Sequence, residues 1–203
     1  MLAEKFIASA KNHFLQPIQF DDWSAMFEIY SDPNSMRFIQ SCDGSTYNAQ
    51  SVQNLVESLA AKNSEAPLEE FTLTILKDDK AIGFVSISKL NEAIPEISCC
   101  IIPSMQRKGV ASSLISALQL LVDCGIETLG ALVHPQNIGS KRVLEKIGFS
   151  YVDPDCLKKY NIPMERYILR NINEVVSIPQ IYGTSHLPDP SKLQGAAKSG
   201  EES

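Results

Sequence analysis

The stretch "PSMQRKGVASSL", residues 103–114, follows a short apolar run, "IPEISCCII" (94–102), and decides how the second half of the chain folds. Pro103 ends a strand, because proline donates no backbone hydrogen bond to a ladder. Polar Gln106, Arg107 and Lys108 then precede a single glycine, Gly109, and a segment whose apolar periodicity predicts a helix. Ala111, Leu114, Ile115, Leu118, Leu121 and Val122 share one helical face, and Gly125 supplies a C-cap. A helix start has unpaired amides and the positive end of the helix dipole, so cations placed there suit a bound anion, although plain strand–turn–helix architecture with surface charges would look the same. Gly109 lets the backbone come close to that anion, and the amides of Lys108, Gly109, Val110 and Ala111 point outward. The spacing fits neither GxxxxGK[ST] nor GxGxxG, which leaves a different phosphate ligand.

Outward from this stretch the pattern is mixed α/β. "TLGALVHP" (128–135) reads as a buried strand. "NIGSKRVLEKIGF" (137–149) reads as a short helix that Asn137 caps and Gly148 ends, with Val143, Leu144 and Ile147 inward. Strand, helix and strand in succession predict that 94–102 and 128–134 are parallel neighbours. "FSYVD" (149–153) and "PMERYILRN" (163–171) follow as two strands across an irregular loop. Upstream, "FLQPIQF" (14–20) predicts an edge strand, and "DDWSAMFEIY" a helix behind an Asp cap that ends near Pro33. Residues 47–62 form another helix, with Val52, Leu55, Val56 and Leu59 on one face. "FTLTIL" (71–76) and "AIGFVSIS" (81–88) form a hairpin with one buried face.

At 203 residues and 44% hydrophobic, the chain accommodates one domain, 14–171, after an N-terminal segment, 1–13. Residues 172–203, with little apolar periodicity, read as a flexible tail. A net charge of −6 argues against a nucleic-acid or anionic-membrane partner. Five cysteines without a CxxC pair and three histidines without ligand spacing predict reduced thiols and no metal site. The N-terminus has no uninterrupted signal-peptide core and no later run is long enough to span a bilayer, so a soluble cytoplasmic protein is expected, monomer or homodimer.

"QRKGVA" (106–111) resembles the [RQ]xxGx[GA] pyrophosphate loop of the GNAT acyltransferases, and "NIGSKRVLEKIGF" is similar to their N-x-x-S-x-x-V-x-E-K-x-G-F signature. "LQPIQFDDWSAMFEIYSDPNSMRFI" further resembles the Rim-type (RimJ/RimL-like) ribosomal-protein N-terminal acetyltransferases. The resemblance implies the GNAT fold: a central, mostly antiparallel sheet flanked by helices, with one splayed parallel pair (94–102 and 128–134). It also implies acetyl-CoA as co-substrate, lying in that wedge along Ile101 and Ile102. Its pyrophosphate would sit on the amides of Arg107, Lys108, Gly109, Val110 and Ala111, with Asn137 on the pantetheine arm. The implied reaction is direct acetyl transfer to a primary amine. A protein N-terminus is the expected acceptor, with a polyamine or aminoglycoside as rival, and a non-catalytic acyl-CoA-binding domain as the reading from another class.

An amine must be neutral to attack a thioester. Glu96 resembles the strand glutamate that some family members use as base, though a polar residue on a solvated strand face would look the same. Ile101 or a neighbour would offer its backbone N–H to the oxyanion. The tyrosine that many relatives use as acid is replaced by Leu144. Ser140 resembles the serine of Rim-type members and could protonate the leaving sulfur; an ordinary N3 residue would look no different. The acceptor loops are expected at 31–47 and 154–162.

Overall fold

Two hairpins and one parallel crossing build a seven-stranded sheet in the order β1-β2-β3-β4-β5-β7-β6. Its strands are β1 (Leu15–Pro17), β2 (Glu70–Lys77), β3 (Lys80–Ser88), β4 (Glu96–Ile101), β5 (Leu129–Val133), β6 (Ser150–Lys159) and β7 (Ile162–Leu169). The helices are α1 (Trp23–Tyr30), α2 (Pro33–Met36), α3 (Ala49–Lys62), α4, helical at 117–119 and 121–123, and α5 (Ile138–Lys146). The structure, a computed structural model, describes residues 15–39, 46–108, 117–119, 121–159 and 162–172. The N-terminal segment and nearly all of the expected tail lie outside these residues, as do Gly109, Val110 and Ala111. Every neighbouring strand pair is antiparallel except β4 and β5, the parallel pair that the strand–helix–strand pattern predicts.

Period-two alternation divides the core between the two faces of this sheet. Phe71, Leu73, Val85, Ile97 and Ile101 pack with Leu118 and Leu121 of α4 and Leu144 and Ile147 on or beside α5. Phe84 and Ile102 pack with Met26 and Ile29 of α1 and Val52 and Val56 of α3. Trp23, Phe27 and Tyr30 pack on this second cluster, as their helical spacing predicts. Gly125 (φ 83) ends α4 in a Schellman arrangement: its N–H donates to Val122 O at 2.8 Å and Ile126 N–H to Leu121 O at 2.9 Å.

Three expectations are corrected. The β2–β3 hairpin is not buried on one face alone: α1 and α3 cover the second face, so Thr72 and Thr74 are buried as well. Their hydroxyls are satisfied there, Thr72 with Ser86 at 2.8 Å and Thr74 by donating to Asp22 Oδ2 at 2.6 Å. Asp22 precedes α1 but makes no side-chain cap bond to it. Its carboxylate turns back instead, accepting from Gln19 N–H at 2.9 Å and from Thr74, which fastens the chain between β1 and α1 to the sheet. Residues 154–159, expected in an irregular loop, instead continue β6, which runs to Lys159 and pairs with β7, absorbing two register shifts on the way. Pro33 starts the short α2, capped by Asp32, which accepts from Ser35 N–H at 2.9 Å.

The buried Asp22 bonds predict that Asp22→Ala lowers the unfolding free energy by about 2–3 kcal/mol, because Thr74 and Gln19 lose a charged acceptor. Urea denaturation read by circular dichroism checks this.

Candidate active site

β4 and β5 meet at a single register pair, Glu96 with Gly130, reinforced by Gly130 N–H donating to Pro95 O at 2.8 Å. Past that pair the strands register no further partners and part toward their C-terminal ends, which opens a wedge. Ile101, five residues beyond Glu96, lies about 17 Å further along the strand. Successive N–H groups of a strand point to opposite sides. Ile102 N–H donates to Ile82 O of β3 at 3.0 Å, so the N–H of Ile101 faces the β5 side, into the wedge. The Ile101 carbonyl accepts from Gln106 Nε2 at 3.2 Å rather than from a strand.

The loop after β4 is held in a specific shape. Pro103–Met105 form a 3-10 turn, Lys108 N–H donates to Met105 O at 3.4 Å, and Arg107 adopts a left-handed backbone (φ 63). A non-glycine residue there is uncommon and marks an imposed conformation. Arg107 and Lys108 are both exposed, at the wide end of the wedge.

α2 and the residues after it strap the same end. Gln106 Nε2 donates to Ser35 Oγ at 3.3 Å, Arg37 Nη2 donates to Gln136 Oε1 at 3.2 Å, and the Phe38 and His134 rings lie 5.4 Å apart. The Arg37 guanidinium also stacks 5.2 Å over Phe38. Of the expected acceptor loop 31–47, residues 31–39 and 46–47 are described, and the 31–39 part reaches the wedge.

On the β5 side, Asn137 caps α5, its Oδ1 accepting from Ser140 N–H at 3.1 Å. Capping fixes Asn137 at the helix mouth. Ser140 is half-buried one turn along, with no hydroxyl partner among the described residues. Leu144, at the position where relatives carry tyrosine, is buried in the core and carries no proton.

Glu96 stands at the narrow end of the wedge on the α1–α3 side, with Ser98 and Cys100. Its Oε1 receives Lys89 Nζ at 2.8 Å and Arg166 Nη2 at 3.5 Å. Lys89 lies just after β3, seven residues before Glu96, and Arg166 is on β7, so the sheet adds to a local pair a cation distant in sequence. Lys89, Arg166 and Gly130 were not among the expected site residues. The signal for Arg166 was a charge inside the apolar alternation "RYIL", and for Lys89 there was none. Burial pushes the Cys100 thiol up to about 11, and Cys99 further up with Cys100 beside it. Protonated, partly buried thiols of this kind are poor nucleophiles. Among the described residues no cluster of three or more His, Cys, Asp or Glu side chains could hold a metal.

The wedge suits a long acyl carrier ending in phosphate: cations at its wide end, and inward-facing strand amides along its length.

Comparison with known proteins agrees with this geometry. The family described as "Acetyltransferase (GNAT) domain" matches residues 13–150. The N-acetyltransferase YnaD of Bacillus subtilis (strain 168) is 30% identical over 146 residues, 69% of this chain and 80% of that protein. RimJ of Mycobacterium smegmatis, solved with a CoA disulfide, is 17% identical with a TM-score of 0.65, covering 82% of this chain and 83% of its own. The Salmonella typhimurium acetyltransferase that modifies the N-terminal serine of ribosomal protein L7/L12 is 12% identical with a TM-score of 0.63, covering 77% and 93%. The chain thus belongs to the GNAT acetyltransferases, enzymes that take their acetyl group from acetyl-CoA.

Proposed function

We propose that this acetyltransferase modifies the α-amine of a protein N-terminus. The observation that carries the reading is the charge balance around the wedge. Glu96 is matched by Lys89 and Arg166, Glu165 by Lys141 at 2.7 Å, and Asp32 is turned onto its own helix cap. The exposed charges at the wide end, Arg37, Arg107 and Lys108, are cations. A polyamine or aminoglycoside needs several uncompensated carboxylates in one place, whereas the exposed Glu92 at the narrow end shares its wall with the cations Lys89 and Arg166. A single α-amine, with a reference pKa near 8, is partly neutral at physiological pH and needs only modest help to react. The fold-level likeness to RimJ and to the L7/L12 acetyltransferase supports the same reading.

Acetyl-CoA supplies the activated thioester. In this reading the amides of Arg107 and Lys108, continuing through Gly109 to Ala111, bind its pyrophosphate, and Asn137 lines the pantetheine path. The Ile101 amide lines the wedge, and the Cys99 amide, on the same edge of β4 and nearer Glu96, donates to the acyl oxygen. Cys99 lies about 10 Å along the strand from Glu96, close enough for Glu96 to take the amine proton through a water. Ser140 hands a proton to the departing sulfur. A C–N bond forms as the C–S bond breaks, and one proton leaves the amine while another reaches the thiolate.

The test is free-thiol release with acetyl-CoA and a panel of peptides, spermidine and kanamycin. Turnover confined to unblocked peptides is expected. Faster turnover of either small amine, or equal turnover of N-blocked peptides bearing lysine, overturns the proposal.

A companion result concerns the cradle. Gly109→Asp adds bulk and negative charge where phosphate is to lie and is expected to weaken acetyl-CoA binding at least about tenfold by calorimetry. Unchanged affinity would place the pyrophosphate elsewhere.

A further inference from the structure

At the narrow end of the wedge a cavity of about 220 Å³ is walled by Lys89, Glu92, Ile94, Glu96, Gly130 and Arg166. It adjoins the point where β4 and β5 separate, because Glu96 and Gly130 are both the strands' single register pair and two of its walls. Lys89 enters from a left-handed backbone (φ 57), a conformation that a lysine holds only under constraint from its surroundings. Its ammonium is used by Glu96 at 2.8 Å.

Arg166 is different. Its side chain is 29% exposed and its one recorded ion contact, to Glu96, is 3.5 Å long. A guanidinium has five N–H donors in a planar fork suited to a carboxylate, and a 3.5 Å contact uses one of them weakly. No second carboxylate meets Arg166 among the described residues. Most of its donors are therefore unspent at the wall of a cavity next to the reacting end of the wedge. Glu92 on the same wall is exposed, so solvent screens it, and the net charge of −6 acts weakly beyond a Debye length of about 8 Å.

We infer that this cavity receives the first residues of the acceptor peptide, and that Arg166 selects acceptors by binding a carboxylate side chain there, so that acidic N-termini are preferred. This rests on the N-terminal-amine reading above. Arg166 is then a specificity residue: it touches the acceptor and takes no part in proton transfer.

The experiment compares kcat/KM for matched peptides beginning Asp or Asn, and Ser-Asp or Ser-Asn, with free aspartate and glutamate as further acceptors. For the wild type, about a tenfold preference for the acidic member of a pair is expected, the size of one charge-assisted hydrogen bond. Arg166→Gln should bring that ratio to about one, mainly through KM; loss of its contact with Glu96 lowers kcat alike for both members of a pair, so the ratio within a pair is the readout. Arg166→Lys keeps the charge and should restore part of the preference. Calorimetric acetyl-CoA affinity, unchanged in both variants, shows that the fold survives.

An acidic preference that survives Arg166→Gln, or an equal loss for acidic and amide peptides, overturns the inference. Wild-type turnover without acidic preference overturns it while leaving the N-terminal reading intact. Failure to acetylate any peptide removes both, and faster turnover of free glutamate keeps the carboxylate site but overturns its assignment to peptides.

Discussion

Glu96→Gln is expected to lower kcat/KM for an N-terminal peptide about 10²- to 10³-fold at pH 7, with acetyl-CoA affinity within about twofold of wild type. Glutamine keeps the size of the side chain and an oxygen for Lys89, but it cannot accept the amine proton. A purely structural Glu96 predicts something else. Removing the carboxylate would leave Lys89 and Arg166 partly buried without their partner, lowering the melting temperature while the folded enzyme turned over normally. The two roles separate in the pH profile. An α-amine loses its own proton above about pH 8, so a variant lacking only the base should recover much of its deficit by about pH 9. A variant with a distorted site should not. Normal kcat at pH 7 with reduced stability would assign Glu96 to the ion-pair cluster alone.

How much of this was legible in the sequence depended on range. Local signals translated directly. Asn137 caps its helix and Gly125 and Gly148 end theirs in the left-handed region, because caps are set by residues within one turn. The parallel pair followed from strand–helix–strand order. What failed was set by partners distant in sequence. The threonines of β2 look like a solvent face until α1 and α3 cover them, and Asp22 looks like a helix cap until Thr74, 52 residues away, takes its carboxylate. The same holds in the site. Glu96 stood out beside the pyrophosphate loop, but Arg166 reaches it only through pairing across β4, β5 and β7, and Lys89, though seven residues away, only through the β3–β4 pairing. The loop expected between "FSYVD" and "PMERYILRN" is taken up largely by β6, because two register shifts let the strand continue to Lys159.

Gly83→Val is expected to cost about 3 kcal/mol or more of unfolding free energy, more than ordinary overpacking of a core. Gly83 is buried on β3, opposite Ile101 of β4. A β-carbon built there falls against the carbonyl oxygen of Cys100, with Ile101 Cδ1 at 2.7 Å and Ile101 Cα at 3.1 Å. Two of those three neighbours are backbone, so a rotamer change cannot relieve them. β4 must move away from β3, and the adjoining bond from Ile102 N–H to Ile82 O at 3.0 Å stands in the way. Alanine meets the same backbone atoms with fewer methyl groups, so Gly83→Ala should cost about 1–3 kcal/mol, and denaturant midpoints should fall in the order Gly, Ala, Val. The consequence extends to the site, because the other edge of this stretch of β4 is the wall of the wedge. Displacing it turns the Ile101 amide, so acetyl-CoA affinity should drop in Gly83→Ala well below its melting temperature. Wild-type stability for Gly83→Ala would mean that β3 and β4 lie further apart than described. Lost stability with full affinity would mean that the wedge is held from the β5 side, by the cap at Asn137 and the strap at Ser35 and Arg37.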